Sequence, residues 1–242
     1  MEKPEAVLSD AYQKRAYAQK IFSIVASSYH NATRILSFGF DSRLKRACVA
    51  ALTPELDGII LDLATGDGDF IPLIRTRCPR VSIIGYDLTN KMLSLAVGNI
   101  AGVRDCLLVQ GDMMKLGIRD SSIQAITGGY ALRNAPDLRG AIKQIKRVLI
   151  NGGTAIFLEF TRSPNVLISF IQIRLLQIWC GLWGVLFHGK SQSYGYIADT
   201  VRLYPDRTAI HQLFLENGFD IMKSRVAVLG FLEILIVRKR ES

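Results

Sequence analysis

Near the end of the chain two strand-like runs, 219–228 (FDIMKSRVAV) and 231–238 (FLEILIVR), are joined at Leu229-Gly230. So short a link permits only an antiparallel hairpin. The chain before it reads differently. Apolar, β-branched runs at 59–64, 81–86, 105–110, 122–127 and 153–160 alternate with helix-like segments such as 89–100 and 137–149. That rhythm marks a parallel sheet covered by helices on both faces. The combination predicts an α/β fold whose seven-stranded, mostly parallel sheet closes on an antiparallel last strand.

At 242 residues the chain has room for one such domain with a full core. Four dispersed cysteines, Cys48, Cys78, Cys106 and Cys180, form no C-x-x-C pair. They point to free thiols in a reducing compartment, and against disulfides or a zinc site. The charged start, MEKPEAVLSDAYQKR, has no apolar signal core, so the expected location is cytoplasmic. A net charge of +9 invites nucleic acid or an anionic membrane as partner. The basic residues are scattered and no recognition-helix, RRM or finger pattern occurs, which sets nucleic acid aside.

The loop after the first strand, in ILDLATGDGDF (60–70), lies where open parallel sheets bind ligands. A P-loop needs Lys-Ser/Thr after its glycines, and Phe70-Ile71 stands there instead. A dinucleotide fingerprint needs a third glycine, and Ile71 occupies that place. Asp87, ending the second strand, has the spacing of a ribose-binding carboxylate. Asp62, Asp67 and Asp69 around one loop would repel a phosphate and suit a cationic ligand carrying a ribose. S-adenosylmethionine, with a sulfonium, an ammonium and no phosphate, fits that description. Asp112, in QGDM at the end of the third strand, is assigned to the adenine amino group, with Met113 covering the ring. Any one such aspartate also reads as a helix N-cap. Three at consecutive strand ends (Asp62, Asp87, Asp112) make the stronger case. Thr65, Gly66, Gly68 and Leu88 complete the cofactor set from the same loops.

The sequence also resembles, over nearly its whole length, the ubiquinone/menaquinone biosynthesis C-methyltransferases (UbiE type). The carriers are IFSIVASSYHNATRILSFGF (21–40), LDLATGDGD, ALRNAPD (131–137), KRVLINGGTAIFLEF (146–160), SYGYIADTVRLYPD (193–206) and LFLENGF (213–219). The resemblance implies a class I methyltransferase (Rossmann-like) fold, S-adenosylmethionine, and methyl transfer to a ring carbon of a polyprenyl quinol. It also implies that Asp67, Asp87, Asp112, Met113 and Gly129 line the cofactor site. The chain departs from the pattern at Asp67, His30, Thr33, Leu44 and Gly129. Two alternatives therefore stay open: a methyltransferase for a soluble aromatic metabolite, and a cofactor-binding relative without methyl transfer. The implied division is an N-terminal helical cover (1–55), a cofactor core (56–160), a substrate lid (161–205) and a closing helix and hairpin (206–242).

Methylating a quinol carbon requires an ionised neighbouring hydroxyl, and a phenol titrates near pH 10. Arg133, just after the fourth strand, is the candidate cation, with Asn134 orienting the ring oxygen; a loop-capping arginine is the competing reading. His30 is the candidate base, against an ordinary turn histidine. Tyr29, Tyr194 and Tyr196 are candidate substrate contacts. His211 reads as structural, and no metal ligands are expected.

Segment 166–187, VLISFIQIRLLQIWCGLWGVLF, has the length of a membrane span but carries Arg174 mid-run. A central arginine costs about 2.5–3.5 kcal/mol on insertion scales. The reading is an apolar helical lid. No Asp or Glu occurs from Phe160 to Ala198, which suits peripheral contact with anionic lipid on the inner membrane face, where a prenyl-tailed substrate resides. A core helix or a homodimer seam competes with it.

Overall fold

The computed structural model describes residues 13–16, 19, 33, 37–188 and 195–241. Seven strands form one sheet: β1 (Ile59–Leu63), β2 (Ser82–Asp87), β3 (Cys106–Gln110), β4 (Ile123–Gly129), β5 (Leu149–Phe160), β6 (Phe219–Ala227) and β7 (Leu232–Lys239). Their spatial order is β3-β2-β1-β4-β5-β7-β6. Strands β1 to β5 pair in parallel. Only β7 runs antiparallel to its neighbours β5 and β6, as the short link at Leu229-Gly230 dictates. The direction of strand order reverses beside β1. That reversal opens a crevice at the carboxyl ends of β1 and β4.

Period-2 alternation splits the core over the two sheet faces. Ile60, Ile156, Leu158 and Ile234 join one cluster; Leu61, Leu63, Phe157 and Leu235 join the other. The first face is covered by α1 (Asp41–Val49), α2 (Phe70–Arg77), α5 (Val166–His188) and α6 (Gly195–Leu203). The second carries α4 (Leu138–Val148) and α7 (Arg207–Glu216). Between them in sequence, α3 (Asn90–Asn99) buries Met92, Leu93 and Ala96.

Two details differ from the sequence expectation. Helix α2 begins at Phe70, directly after the glycine loop, where periodicity alone gave no helix. Strand β5 begins at Leu149 rather than near 153, because a register shift opposite Ile123–Ala125 absorbs Asn151–Gly153, with Gly152 at φ 72°.

Candidate functional site

Each parallel strand stops at the same edge of the sheet, so four loops meet there. They wall a cleft that, open mouth included, spans about 720 Å³. Gly66 comes from the β1 loop, Asp87 and Leu88 from the end of β2 and the residue after it, Asp112 and Met113 from beyond β3, and Gly129, Tyr130 and Asn134 from the end of β4 and the turn after it. Arg15 and Gln19 add two N-terminal side chains, and Leu63, Met92 and Pro136 make much of the wall apolar.

The β1 loop turns back on itself through positive φ at Ala64, Gly66 and Gly68. Thr65 N donates to Tyr86 O (3.1 Å) and Gly68 N to Thr65 O (2.9 Å). Gly68, at φ 78°, also lies against α3: a Cβ there would stand 3.0 Å from Ala96 Cβ and 3.2 Å from Ile100 Cγ2. Only glycine meets both demands.

The aspartates divide into two groups. Asp62 is fully buried beneath the loop and does not line the cavity. Its carboxylate accepts from the hydroxyls of Thr65 (2.5 Å) and Thr127 (2.7 Å). Burial, only partly opposed by those bonds, pushes its pKa up to about 7. Asp69 is ion-paired with Lys45, which also holds Asp41 at 2.7 Å. Asp67 is buried in the loop, and its carbonyl accepts from Asn99 Nδ2 (2.8 Å). Thr65, Asp67 and Gly68 thus build the loop without lining the cavity. The expected ring of loop carboxylates reduces to two groups on the cavity wall, Asp87 and Asp112.

Asp87 is buried, and that burial raises its pKa against bonds that favour the anion. Its Oδ1 accepts from Thr89 N (2.9 Å) and Thr89 Oγ1 (2.7 Å), and its Oδ2 from Gly66 N (2.9 Å). The backbone N–H of Leu88 also bonds to this carboxylate, so the end of β2 and the glycine loop together fix its orientation at the cavity wall. Asp112 Oδ1 accepts from Met114 N (2.9 Å), and its Oδ2 pairs with Arg15 Nε at 2.9 Å. At Gly129 a Cβ would come 2.7 Å from Phe70 Cε2, so the glycine admits the Phe70 ring under the end of β4.

Arg133 does not face the cavity. Its guanidinium is buried, donating to Glu159 Oε1 (2.5 Å) and Tyr130 O (3.1 Å), while its backbone N–H donates to Glu159 Oε2 (3.2 Å). It also stands over the rings of Tyr130 (5.4 Å) and Phe160 (5.2 Å). The cation expected beside a phenolate is already neutralised by a carboxylate. Asn134, one residue on, lines the cavity; its Nδ2 donates to Tyr130 O (2.8 Å) and its Oδ1 accepts from the Tyr196 hydroxyl (2.6 Å). Tyr196 therefore reaches the site through Asn134. Tyr29, His30 and Tyr194 lie outside the described residues. His211 pairs with Glu233 at 2.6 Å on the far side of the sheet from α5.

Sequence reasoning missed Tyr130, Lys45, Asp41, Glu159 and Lys14. Tyr130 lines the cavity at φ 57°, and its hydroxyl donates to Asp41 Oδ1 (2.9 Å). The available signals were the i,i+4 spacing of Asp41 and Lys45 and the Gly128-Gly129 pair preceding the strained tyrosine. Lys14 donates to Ala135 O (2.6 Å), and burial, then the nearby Arg133 charge, lower its pKa. Nothing in its charged N-terminal surroundings marked it. Among the described residues no three His, Cys, Asp or Glu side chains converge as a metal site. Burial pushes the Cys48 and Cys180 thiols up to about 12, which removes them as nucleophiles.

A crevice at parallel strand ends, two wall carboxylates and no lysine-bearing phosphate loop suit a cationic nucleoside. Comparison with known proteins agrees. The model of the ubiE/COQ5 methyltransferase family matches residues 10–236. A demethylmenaquinone methyltransferase of Roseiflexus castenholzii is 32% identical over 224 residues, covering 93% of this chain and 94% of that protein. The ubiquinone/menaquinone biosynthesis C-methyltransferase UbiE of Pseudomonas fluorescens is 30% identical over 220 residues, covering 86% and 83%. Among solved structures, an S-adenosylmethionine-dependent methyltransferase from Aquifex aeolicus shares the fold with a TM-score of 0.61 at 10% identity, covering 89% of this chain and 97% of that one. The chain belongs to the ubiE/COQ5 methyltransferase family and is an S-adenosylmethionine-dependent methyltransferase.

Proposed function

We propose that the enzyme methylates a ring carbon of a lipophilic (poly)prenyl quinol, as in ubiquinone and menaquinone biosynthesis. The single observation that carries this reading is the family match over most of the chain, set on a cavity whose donor set fits the cofactor. Asp87, held at the cavity wall, faces the ribose; Asp112 takes the adenine amino group; Leu88 and Met113 supply apolar cover; Gly66 and Gly129 leave room beside them. S-adenosylmethionine, when bound, supplies an activated methyl group. The protein's task is then to align the ring carbon and favour the ionised hydroxyl.

Asn134 is the residue we assign to the ring oxygen. Hydrogen bonds from Tyr196 and to Tyr130 O fix its rotamer. Arg133 acts one layer behind it. Held by Glu159, it pins the turn of residues 132–134 by side chain and backbone together. His30, Tyr29 and Tyr194 belong to the proposal through the family pattern alone. We place the enzyme in the cytoplasm with peripheral contact at the inner membrane face, where such a substrate is dissolved; a homodimer competes for the same surface.

The test is incubation with methyl-labelled S-adenosylmethionine and a panel of reduced prenyl quinols, both long-tailed and short-tailed, read by mass spectrometry. Carbon-bound label on a quinol, reduced about 100-fold or more in Asn134→Ala, is the expected result. Tight cofactor binding with no quinol labelled would overturn the substrate assignment and direct the search to soluble aromatics or to a non-methylating role.

A further inference from the structure

Helix α5 is apolar on the wrong side for a soluble protein. Ser169, Gln172, Leu176, Cys180 and Gly184 are buried along one stripe. That stripe seats the helix lengthwise on the fold, so it does not stand out as a transverse span. The opposite stripe, Leu167, Ile171, Leu175, Ile178, Leu182 and Val185, is open to solvent, with Ile178 69% exposed. Most of the helix's apolar length is left uncovered by the fold. Contiguous exposed apolar surface of this length marks an interaction site.

The tip of the β6–β7 hairpin extends the same surface. Leu229 is 94% exposed and sits at φ 52°, with Val228 at φ 50° beside it. Two consecutive side-chain-bearing residues in the left-handed region are strained, yet they hold a leucine out into water. The tip is tied to α5: Gln172 Nε2 lies 3.5 Å from Leu229 O, and a Cβ on Gly230 would come 2.6 Å from that same nitrogen.

We propose that α5 and the Leu229 tip together form one docking surface for an anionic lipid bilayer. The inference rests on the peripheral-membrane reading above and gives it a defined surface. Charge selects the occupant. Arg174 borders the stripe, and no carboxylate occurs from Phe160 to Ala198. The Arg174 guanidinium lies over the exposed Phe170 ring at 5.2 Å, a pairing of cation and apolar group that suits a headgroup boundary. A second copy packed on this face by a twofold axis would bring the same cations and no anion. Acidic headgroups supply the missing charge. From this surface the path inward is short: α5 packs on α6, whose Tyr196 holds Asn134 at the cavity wall.

The experiment is co-sedimentation of the full chain with phosphatidylglycerol-containing and with pure phosphatidylcholine vesicles. Light scattering of the free protein and turnover of a short-tailed, water-soluble quinol are followed in parallel. Partition into the anionic vesicles is expected, weakened by salt and lowered about tenfold or more in Ile178→Asp/Leu229→Ser. Cofactor affinity and short-tail turnover should stay unchanged in that variant, since neither residue touches the cavity. Absence of partition by the wild type would overturn the docking surface. So would a stable dimer that Ile178→Asp dissolves. Short-tail turnover without vesicle binding would leave the methyltransferase reading standing alone. Vesicle binding without turnover of any quinol would support the surface while removing the substrate assignment.

Discussion

Asp62 shows how one residue can be legible in type and misplaced in role. Its position before the glycine loop was readable, and its spacing from Asp87 and Asp112 suggested a ligand carboxylate. The structure buries it below the loop, where Thr65 and Thr127 take both oxygens. The strand alternation that sends Leu61 and Leu63 to one face sends Asp62 to the other, and period alone cannot say that this face is sealed. The consequence is testable through pH. The folded-state pKa, about 7, lies above the ordinary value of 3.8. An acid raised on folding binds more protons in the native state, so its contribution favours folding at low pH and fades as pH rises between those two values. Each unit of that gap is worth about 1.4 kcal/mol. Asp62→Asn should therefore gain stability relative to wild type as pH rises from 5 to about 8, because the two threonine hydroxyls can rotate to serve an amide. Thermal melts of both proteins across that range check it; a difference that does not vary with pH would refute it.

At the scale of elements, the turn from Tyr130 to Asn134 carries more of the site than its sequence shows. ALRNAPD suggested an arginine aimed at substrate; the structure assigns that arginine to Glu159, on β5, across 26 residues of chain. No short-range pattern contains this pair, since the parallel register of β4 and β5 creates it. The pair is buried on both sides, with side-chain exposures of 5% and 8%. Removing one partner leaves an uncompensated buried charge, at a cost of about 3–5 kcal/mol. Glu159→Gln should lower the melting temperature by that equivalent. It should also reduce kcat by loosening Asn134, with little change in cofactor affinity, because Asp87 and Asp112 lie on other loops. A variant that melts normally and turns over normally would show that Arg133 holds nothing. The long helix α5 was legible in extent and apolarity. What escaped was which of its faces the protein covers, a property of the sheet's far edge and not of the helix.

For the whole molecule, the site stands on both faces of the sheet: Leu63 and Tyr86 of one core cluster and Tyr130 of the other line the cavity. The parallel rhythm and the reversed β7 were readable because each follows from local length: a dozen residues for a crossover, two for a hairpin. The cavity was readable as a place but not as a composition, because Arg15 and Gln19 enter it from a segment with no periodic signal. Phe214, on α7, shares a core cluster with Leu63 and Tyr86 but does not line the cavity; it is fully buried against Phe157 (5.8 Å) and Phe219 (5.5 Å). Phe214→Ala should destabilise the fold by about 3–5 kcal/mol. If the strand-end loops hold their geometry independently of this part of the core, the cofactor increment is unaffected. S-adenosylhomocysteine at about 100 times its Kd should raise stability by ~2.7 kcal/mol in wild type and in Phe214→Ala alike. In Asp87→Ala the same concentration should give almost no increment, because the ribose contact is gone. Denaturant melts of the three proteins with and without the ligand decide the matter. Loss of the increment in Phe214→Ala would mean that the cavity's loops depend on this part of the core, and that the site is a property of the whole sheet and not of its strand ends alone.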